Sequence, residues 1–271
     1  LDYAFAKHQW DLSKSSQAAV ILGQQKNPYN LSAVFFDGDL RPIGITGQYK
    51  SDNGLFVTGG AYTVTQINSG KDENDVTLFA LEAGYEDKNF LASLIYLHLN
   101  DQVRDGSPDE DDSGSGDVDG DPIANDDFSY NIVLANLGYK TKVGNGVKLD
   151  FNASAAYNLG ADVGSGESGA IADVAGDQDF AWTAGFKVSK GALSFKYNYA
   201  VVEANSVPHF FTNSDFGVGE SNYEGHIIGL KYKLTQNCSV GVTALLTETI
   251  EDTSSQAGEY DVYQFDLAYK F

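Results

Sequence analysis

The chain has 271 residues and a formal net charge of −21, and 42% of its residues are hydrophobic. The charge argues against a nucleic-acid-binding protein, which needs a basic surface, and the single cysteine, Cys238, excludes a disulfide framework within the chain. No apolar run approaches the roughly 20 residues of a membrane-spanning helix, whereas a barrel strand needs only about 9–11 residues of alternating polarity.

Apolar and polar residues alternate with a period of two along most of the chain, which predicts strands that have one apolar face. Leu149 and Phe151, for example, alternate with Lys148, Asp150 and Asn152. Most of these segments are longer than the five or six residues that are usual in globular proteins, and they suit a tilted crossing of a bilayer. In chain order, the predicted strands are residues 2–10, 16–24, 41–50, 54–66, 75–86, 89–99, 128–140, 147–157, 180–188, 195–201, 222–234, 238–249 and 263–271.

The connections between these segments alternate between short and long, with the long ones near residues 24–40, 67–74, 100–127, 159–179, 203–221 and 250–259. Most acidic residues fall in the long connections, and lysines crowd the short turns. Short turns at one end and long loops at the other are typical of outer-membrane barrels. We therefore expect an all-β fold, a transmembrane antiparallel up-and-down β-barrel that forms one domain from residue 1 to 271.

The last residue, Phe271, ends an amphipathic strand with an aromatic ring, as the sorting signal of outer-membrane barrels does, and this places the C-terminus on the periplasmic side. A closed antiparallel barrel needs an even number of strands. We therefore expect one or more further strands before Leu1 and about 14–16 strands in all. The alternative is a strand at residues 31–36, which at six residues is too short to cross a bilayer.

Two stretches resemble the Putative porin family of Gram-negative bacteria. The first is LGQQKNPY at residues 22–29 with DGDLRPIG at 37–44, and the second is FTNSDFG at 211–217 with NYEGH at 222–226. Together with the strands between them, the resemblance spans nearly the whole chain, although family members normally carry more N-terminal sequence. The resemblance implies an outer-membrane pore for small hydrophilic solutes and is consistent with a homotrimer.

Candidate site residues come from the first long loop and from the polar strand faces. In the loop, Lys26, Asp37, Asp39 and Arg41 carry opposed charges that would select solutes if the loop folds into the lumen. The alternative is a solvated loop held by ordinary ion pairs. In a wide barrel the polar strand faces line water, whereas in a soluble sandwich they would face solvent. The pore-lining candidates there are Lys148, Asp150, Lys187, Lys196, Lys231 and Asp266.

Alternate acidic residues at Asp117, Asp119 and Asp121 suggest calcium ligands. Gly120 comes too early for an EF-hand loop, however, and no glutamate stands at its twelfth position. The alternative is a solvated acidic loop that binds divalent cations weakly and bridges them to lipopolysaccharide phosphates. We expect no cofactor beyond such weakly bound Ca²⁺.

The leading hypothesis is a non-enzymatic diffusion channel in the outer membrane, with a modest cation preference because its mouth is acidic. Its expected partners are membrane lipid, lipopolysaccharide and small hydrophilic solutes. Three rivals remain open: a structural barrel that anchors a partner protein, a membrane-embedded hydrolase, and a soluble secreted β-sandwich.

Overall fold

The computed structural model describes residues 3–64, 76–100, 130–161, 178–253 and 256–270. Thirteen strands form in these residues, one in each predicted segment, with ends that differ by a few residues from the prediction. The strands are β1 Ala4–Ser13, β2 Ser16–Gln24, β3 Ile43–Ser51, β4 Leu55–Val64, β5 Val76–Glu86, β6 Phe90–Asn100, β7 Asn131–Val143, β8 Val147–Asn158, β9 Phe180–Lys190, β10 Leu193–Val202, β11 Tyr223–Lys233, β12 Cys238–Thr249 and β13 Glu259–Tyr269.

The strands pair in chain order, each antiparallel to the next, in one sheet that runs from β1 to β13. Side chains from strands β6 to β13 line one common cavity, so the sheet curls around an interior. This is the predicted up-and-down barrel architecture. Within the described residues, β1 pairs with β2 alone and β13 with β12 alone. The further strands expected before Leu1 stay a prediction, while residues 31–36 form turns and bends and are no strand.

The two faces of the sheet differ as the alternation predicts. Large apolar side chains stand out from the barrel, among them Leu94, which is 61% exposed, and Phe265, which is 80% exposed. Such a belt suits lipid, and the hydrogen-bonded ladder between neighbouring strands satisfies the backbone groups that lipid cannot. Among the described residues, no helix has the length and apolar character needed to cross a membrane.

The interior differs from the simple expectation of a wet, polar lumen. Near the long loops, the inward face is buried and combines apolar residues such as Leu78 and Ile132 with hydrogen-bonded polar residues such as Glu82 and Asn158. Near the short turns, the inward face is polar and lined by lysines. This half of the inward face is buried because two connecting segments fold inside the barrel and cover it.

Short turns use residues that suit their backbone. Gly54, in the β3–β4 turn, has a φ of +94°, a conformation that side chains with a Cβ rarely adopt. In the β5–β6 turn, the Asp87 carboxylate accepts hydrogen bonds from the backbone N–H groups of Asn89 at 2.7 Å and Phe90 at 2.8 Å. These two bonds hold the pKa of Asp87 below its usual value.

Candidate functional site

Residues 25–42, which connect β2 to β3, form the first inward segment. Its Tyr29 is buried, and the Tyr29 hydroxyl lies 2.9 Å from the Tyr62 hydroxyl of β4 and donates to the Ala80 carbonyl oxygen at 3.2 Å. The Tyr62 hydroxyl in turn lies 2.7 Å from Thr46 Oγ1 on β3. Burial, and then the hydrogen bond with Tyr62, raise the pKa of Tyr29, so its hydroxyl stays protonated. The network ties the segment to three neighbouring strands.

The next residue adds a second anchor. Asn30 donates from its backbone N–H at 3.2 Å and from its side-chain amide at 2.9 Å to the two carboxylate oxygens of Glu82. Glu82 lies on the inner face of β5 and has no exposed surface. Two hydrogen bonds to one buried carboxylate fix both the position and the direction of the segment.

Residues 203–222, which connect β10 to β11, form the second inward segment. Phe211 and Phe216 are almost fully buried inside the barrel. The Asn158 side chain on β8 donates to the Asn205 carbonyl oxygen at 2.9 Å, and Gln264 on β13 donates to the Asp215 carboxylate at 2.6 Å. The second segment is thus fastened to strands on either side of the lumen.

The two inward segments contact each other inside the barrel. Asp37 donates its backbone N–H to the Phe211 carbonyl oxygen at 2.6 Å, and Asn213 donates to the Val34 carbonyl oxygen at 3.2 Å. The Asp37 carboxylate also accepts the Ser214 N–H at 3.1 Å. The rings of Phe36 and Phe211 lie 4.9 Å apart. These contacts form a junction that holds the two inward segments together inside the barrel.

A cavity of about 670 Å³ lies on the short-turn side of the junction. Its roof comes from residues 30–34 of the first segment and from Asn213 and Asp215 of the second, and its walls come from β6 to β13. Asp150, Lys187 and Lys196 face it from β8, β9 and β10. Amides and charges of both signs therefore surround this space, which suits hydrated polar solutes.

Between this cavity and the short turns, most charged residues that line the lumen are lysines. A second cavity of about 950 Å³ has Asp150 as its single lining acid, and a third of about 390 Å³ has Asp266. The field in this half of the barrel is accordingly positive and attracts anions. The lysines that line the second cavity are Lys88, Lys140, Lys142, Lys148, Lys187, Lys231 and Lys233, and those that line the third are Lys187, Lys196 and Lys231.

The structure places the predicted strand residues around these cavities and the predicted loop residues away from them. Lys148, Asp150, Lys187, Lys196, Lys231 and Asp266 all line one or more of these three cavities. The four loop candidates line none of the three. Lys26 is exposed, Asp39 has a side chain that is 98% exposed and lies 3.7 Å from Arg41, and Asp37 joins the two inward segments.

Sequence reasoning missed the second inward segment and its contacts at Asn213 and Asp215, as well as the anchor at Glu82. The signal available was the apolar character of a long connection that includes Val207, Phe211 and Phe216. Asp117, Asp119 and Asp121 lie outside the described residues, and the described residues contain no group of three or more potential metal ligands.

Comparisons with known proteins agree with this architecture. A family model described as "Putative porin" matches residues 126–271. No curated protein matches the chain. Among solved structures, OccK3 (OpdO) of Pseudomonas aeruginosa is 15% identical with a TM-score of 0.58, covering 94% of this chain and 67% of its own.

Two further solved structures show the same likeness. A BenF-like porin from Pseudomonas fluorescens Pf-5 is 14% identical with a TM-score of 0.58, covering 94% of this chain and 65% of its own. OpdK of Pseudomonas aeruginosa, solved with vanillate, is 13% identical with a TM-score of 0.59, covering 96% of this chain and 66% of its own. The chain thus spans about two thirds of the length of these structures, and at such identities the likeness concerns the fold.

Proposed function

Since the chain belongs to the Putative porin family, whose model matches more than half of it, we propose that it is a non-enzymatic channel through which small hydrophilic solutes diffuse passively. It is an outer-membrane β-barrel, as its family and its fold indicate. Its class of solutes and its ion preference are part of the same proposal.

The observation that carries the proposal is the interior beneath the two inward segments. Cavities of about 670 and 950 Å³ share Asp150, Lys187 and Lys140, so polar space continues from the junction toward the short turns. An apolar outer face around a charged inner space is what a water-filled barrel needs. Selectivity then depends on the charges that line the path.

The modest cation preference expected from the acidic loops stays part of the proposal. Acidic residues concentrate cations at the mouth, whereas the lysines near the short turns act against them. Weak Ca²⁺ binding on the acidic loops, contact with lipopolysaccharide and assembly as a homotrimer belong to the same proposal.

One rival has support of its own. The inward segments fill the outer half of the lumen, which a structural barrel that anchors a partner protein could also show. The barrel fold excludes the soluble β-sandwich. For the hydrolase, turnover of lipid or peptide substrates by the purified protein is the test.

Planar-bilayer recording of the detergent-extracted protein under a KCl gradient tests the channel. We expect stepwise conductance and a reversal potential that favours K⁺. An anion-favouring reversal potential would contradict the cation preference but leave the channel in place. A correctly folded barrel that conducts no ions would favour the structural rival.

A further inference from the structure

Three lysines meet in the third cavity, on the wall formed by β9 to β13. Lys187 and Lys196 are direct cross-strand partners on β9 and β10, and Lys231 on β11 lines the same space of about 390 Å³. Directly opposed side chains on neighbouring strands have Cβ atoms about 4.5–5.5 Å apart, and like charges in that arrangement destabilise a sheet. On its other side Lys187 faces Asp150 of β8, whereas Lys196 faces Gly229 of β11, so Lys196 has no acidic cross-strand partner.

The protein itself supplies little neutralisation. Within the described part of the chain, none of the three ammonium groups has a hydrogen bond or a salt bridge within 4.0 Å. Asp266 is the single acid among the lining residues, and Asp150 faces Lys187 from β8. Three lysines against these two acids leave the groove with a net positive charge, so it matches an anionic occupant.

The remaining lining residues supply hydroxyl groups beside the apolar Leu230, Val242 and Ala268. Ser194, Ser239 and Thr243 line the cavity beside the lysines. Gly229 faces Lys196 across the β10–β11 pair and Thr243 across the β11–β12 pair. A Cβ on Gly229 would come no closer than 3.6 Å to any neighbour, so this glycine leaves a shallow groove between the lysine and the hydroxyl.

We infer that this cavity, which we name the lysine groove, is a binding subsite for a phosphate group, as inorganic phosphate or as a small phosphate monoester. A phosphoryl group carries about 1.5–2 negative charges at pH 7 and offers strong acceptor oxygens to ammonium and hydroxyl donors. Lysine is an effective point-charge partner for phosphate, whereas planar carboxylates are matched best by the fork of an arginine, and no arginine lines the groove.

This inference rests on the proposed channel function and deepens it by naming a class of solute. It is compatible with an acidic mouth because salt screens charges beyond a Debye length of about 8–10 Å. The mouth thus sets the ion concentration outside, while the lysine groove acts on a phosphate already in the lumen.

The first experiment measures chloride current through the purified protein in planar bilayers while one anion is added at constant ionic strength. The probes are inorganic phosphate, glycerol phosphate and acetate. Inorganic phosphate is expected to reduce the current to a saturating level, and acetate to leave it nearly unchanged. A matching reduction by glycerol phosphate extends the subsite to monoesters. Equal effects of phosphate and acetate would overturn the inference, because general screening would explain them.

The second experiment compares charge-matched variants. Lys196→Ala and Lys231→Ala should each raise the half-blocking phosphate concentration about tenfold, as loss of one hydrogen bond to a charged group does. Thr243→Val tests the hydroxyl at constant volume and should raise it severalfold. Lys190→Ala removes the same charge from β9 at the short turn, outside the lysine groove, and should leave the value unchanged.

The outcomes distinguish a failure of the phosphate subsite from a failure of the proposed channel function. Equal shifts in all the lysine variants would assign the block to the overall charge of the lumen and overturn the subsite. A channel that conducts chloride and ignores phosphate would overturn the subsite alone. A folded barrel that carries no current would overturn the proposed function.

Discussion

Glu82 places a carboxylate on the inner face of β5 with none of its surface exposed. Within the described residues it has no basic partner in salt-bridge range, and Asn30 supplies both of its hydrogen bonds. Desolvating a carboxylate is costly unless hydrogen bonds compensate. The pairing therefore makes Glu82 one of the anchors on which docking of the first inward segment depends, because a displaced Asn30 would leave the charge buried and unsatisfied.

Glu82→Gln tests this dependence. The substitution keeps the shape of the side chain, removes the charge and turns an amide N–H₂ toward the donors of Asn30, so docking should weaken by about 1.5–3 kcal/mol. We expect a noisier and larger single-channel current with little change in barrel unfolding. Glu259→Gln on β13 is the control, since it makes the same charge change at an exposed side chain that lines none of the three cavities. Indistinguishable currents from the two variants would refute the anchoring role.

At the scale of elements, strands and inward segments differ in how far the sequence reveals them. The strand from Val147 to Asn158 could be predicted because alternation repeats a local rule at every second residue. The junction of the inward segments obeys no such rule. It joins Asp37 to Ser214, 177 residues apart, through bonds that have no period. The only sequence feature that indicated a buried connection was its apolar residues, such as Phe211 and Phe216.

Phe211→Ala tests whether the junction narrows the channel. Phe211 is buried against Phe36, and truncating a buried phenylalanine to alanine costs about 3–5 kcal/mol. The second inward segment should loosen, so single-channel conductance should rise. Val218→Ala removes an exposed apolar side chain from the same segment and should leave conductance unchanged. An unaltered conductance in Phe211→Ala would show that another element limits the flow of ions.

At the scale of the whole molecule, the alternating pattern predicted an apolar and a polar face for the strands. It predicted the surroundings of the outward face but not those of the inward face. The outward face carries large exposed apolar side chains on every described strand, as lipid requires. The inward face changes along the barrel axis, from Ile95 and Ile132 under the inward segments to Lys187 and Lys231 near the short turns. A single strand pattern cannot reveal that change, because it depends on which loops fold inside. The strand candidates line the cavities because alternation sets which residues point inward, and the roles of both sets of candidates in selecting solutes stay predictions.

A pair of lysine substitutions distinguishes the two faces directly. Leu94 lies at the centre of β6 on the outward face, whereas Asn152 lies at the centre of β8 and lines the cavity beneath the junction. A lysine on the lipid face near the bilayer midplane should destabilise the barrel by about 2–4 kcal/mol, because its charge must leave water or snorkel past apolar neighbours. A lysine at position 152 stays in the aqueous lumen, so its cost should be small and its effect should fall on ion selectivity. Urea unfolding of the two variants in lipid vesicles measures the difference, and equal destabilisation would mean that the two faces do not have the lipid and water environments assigned to them.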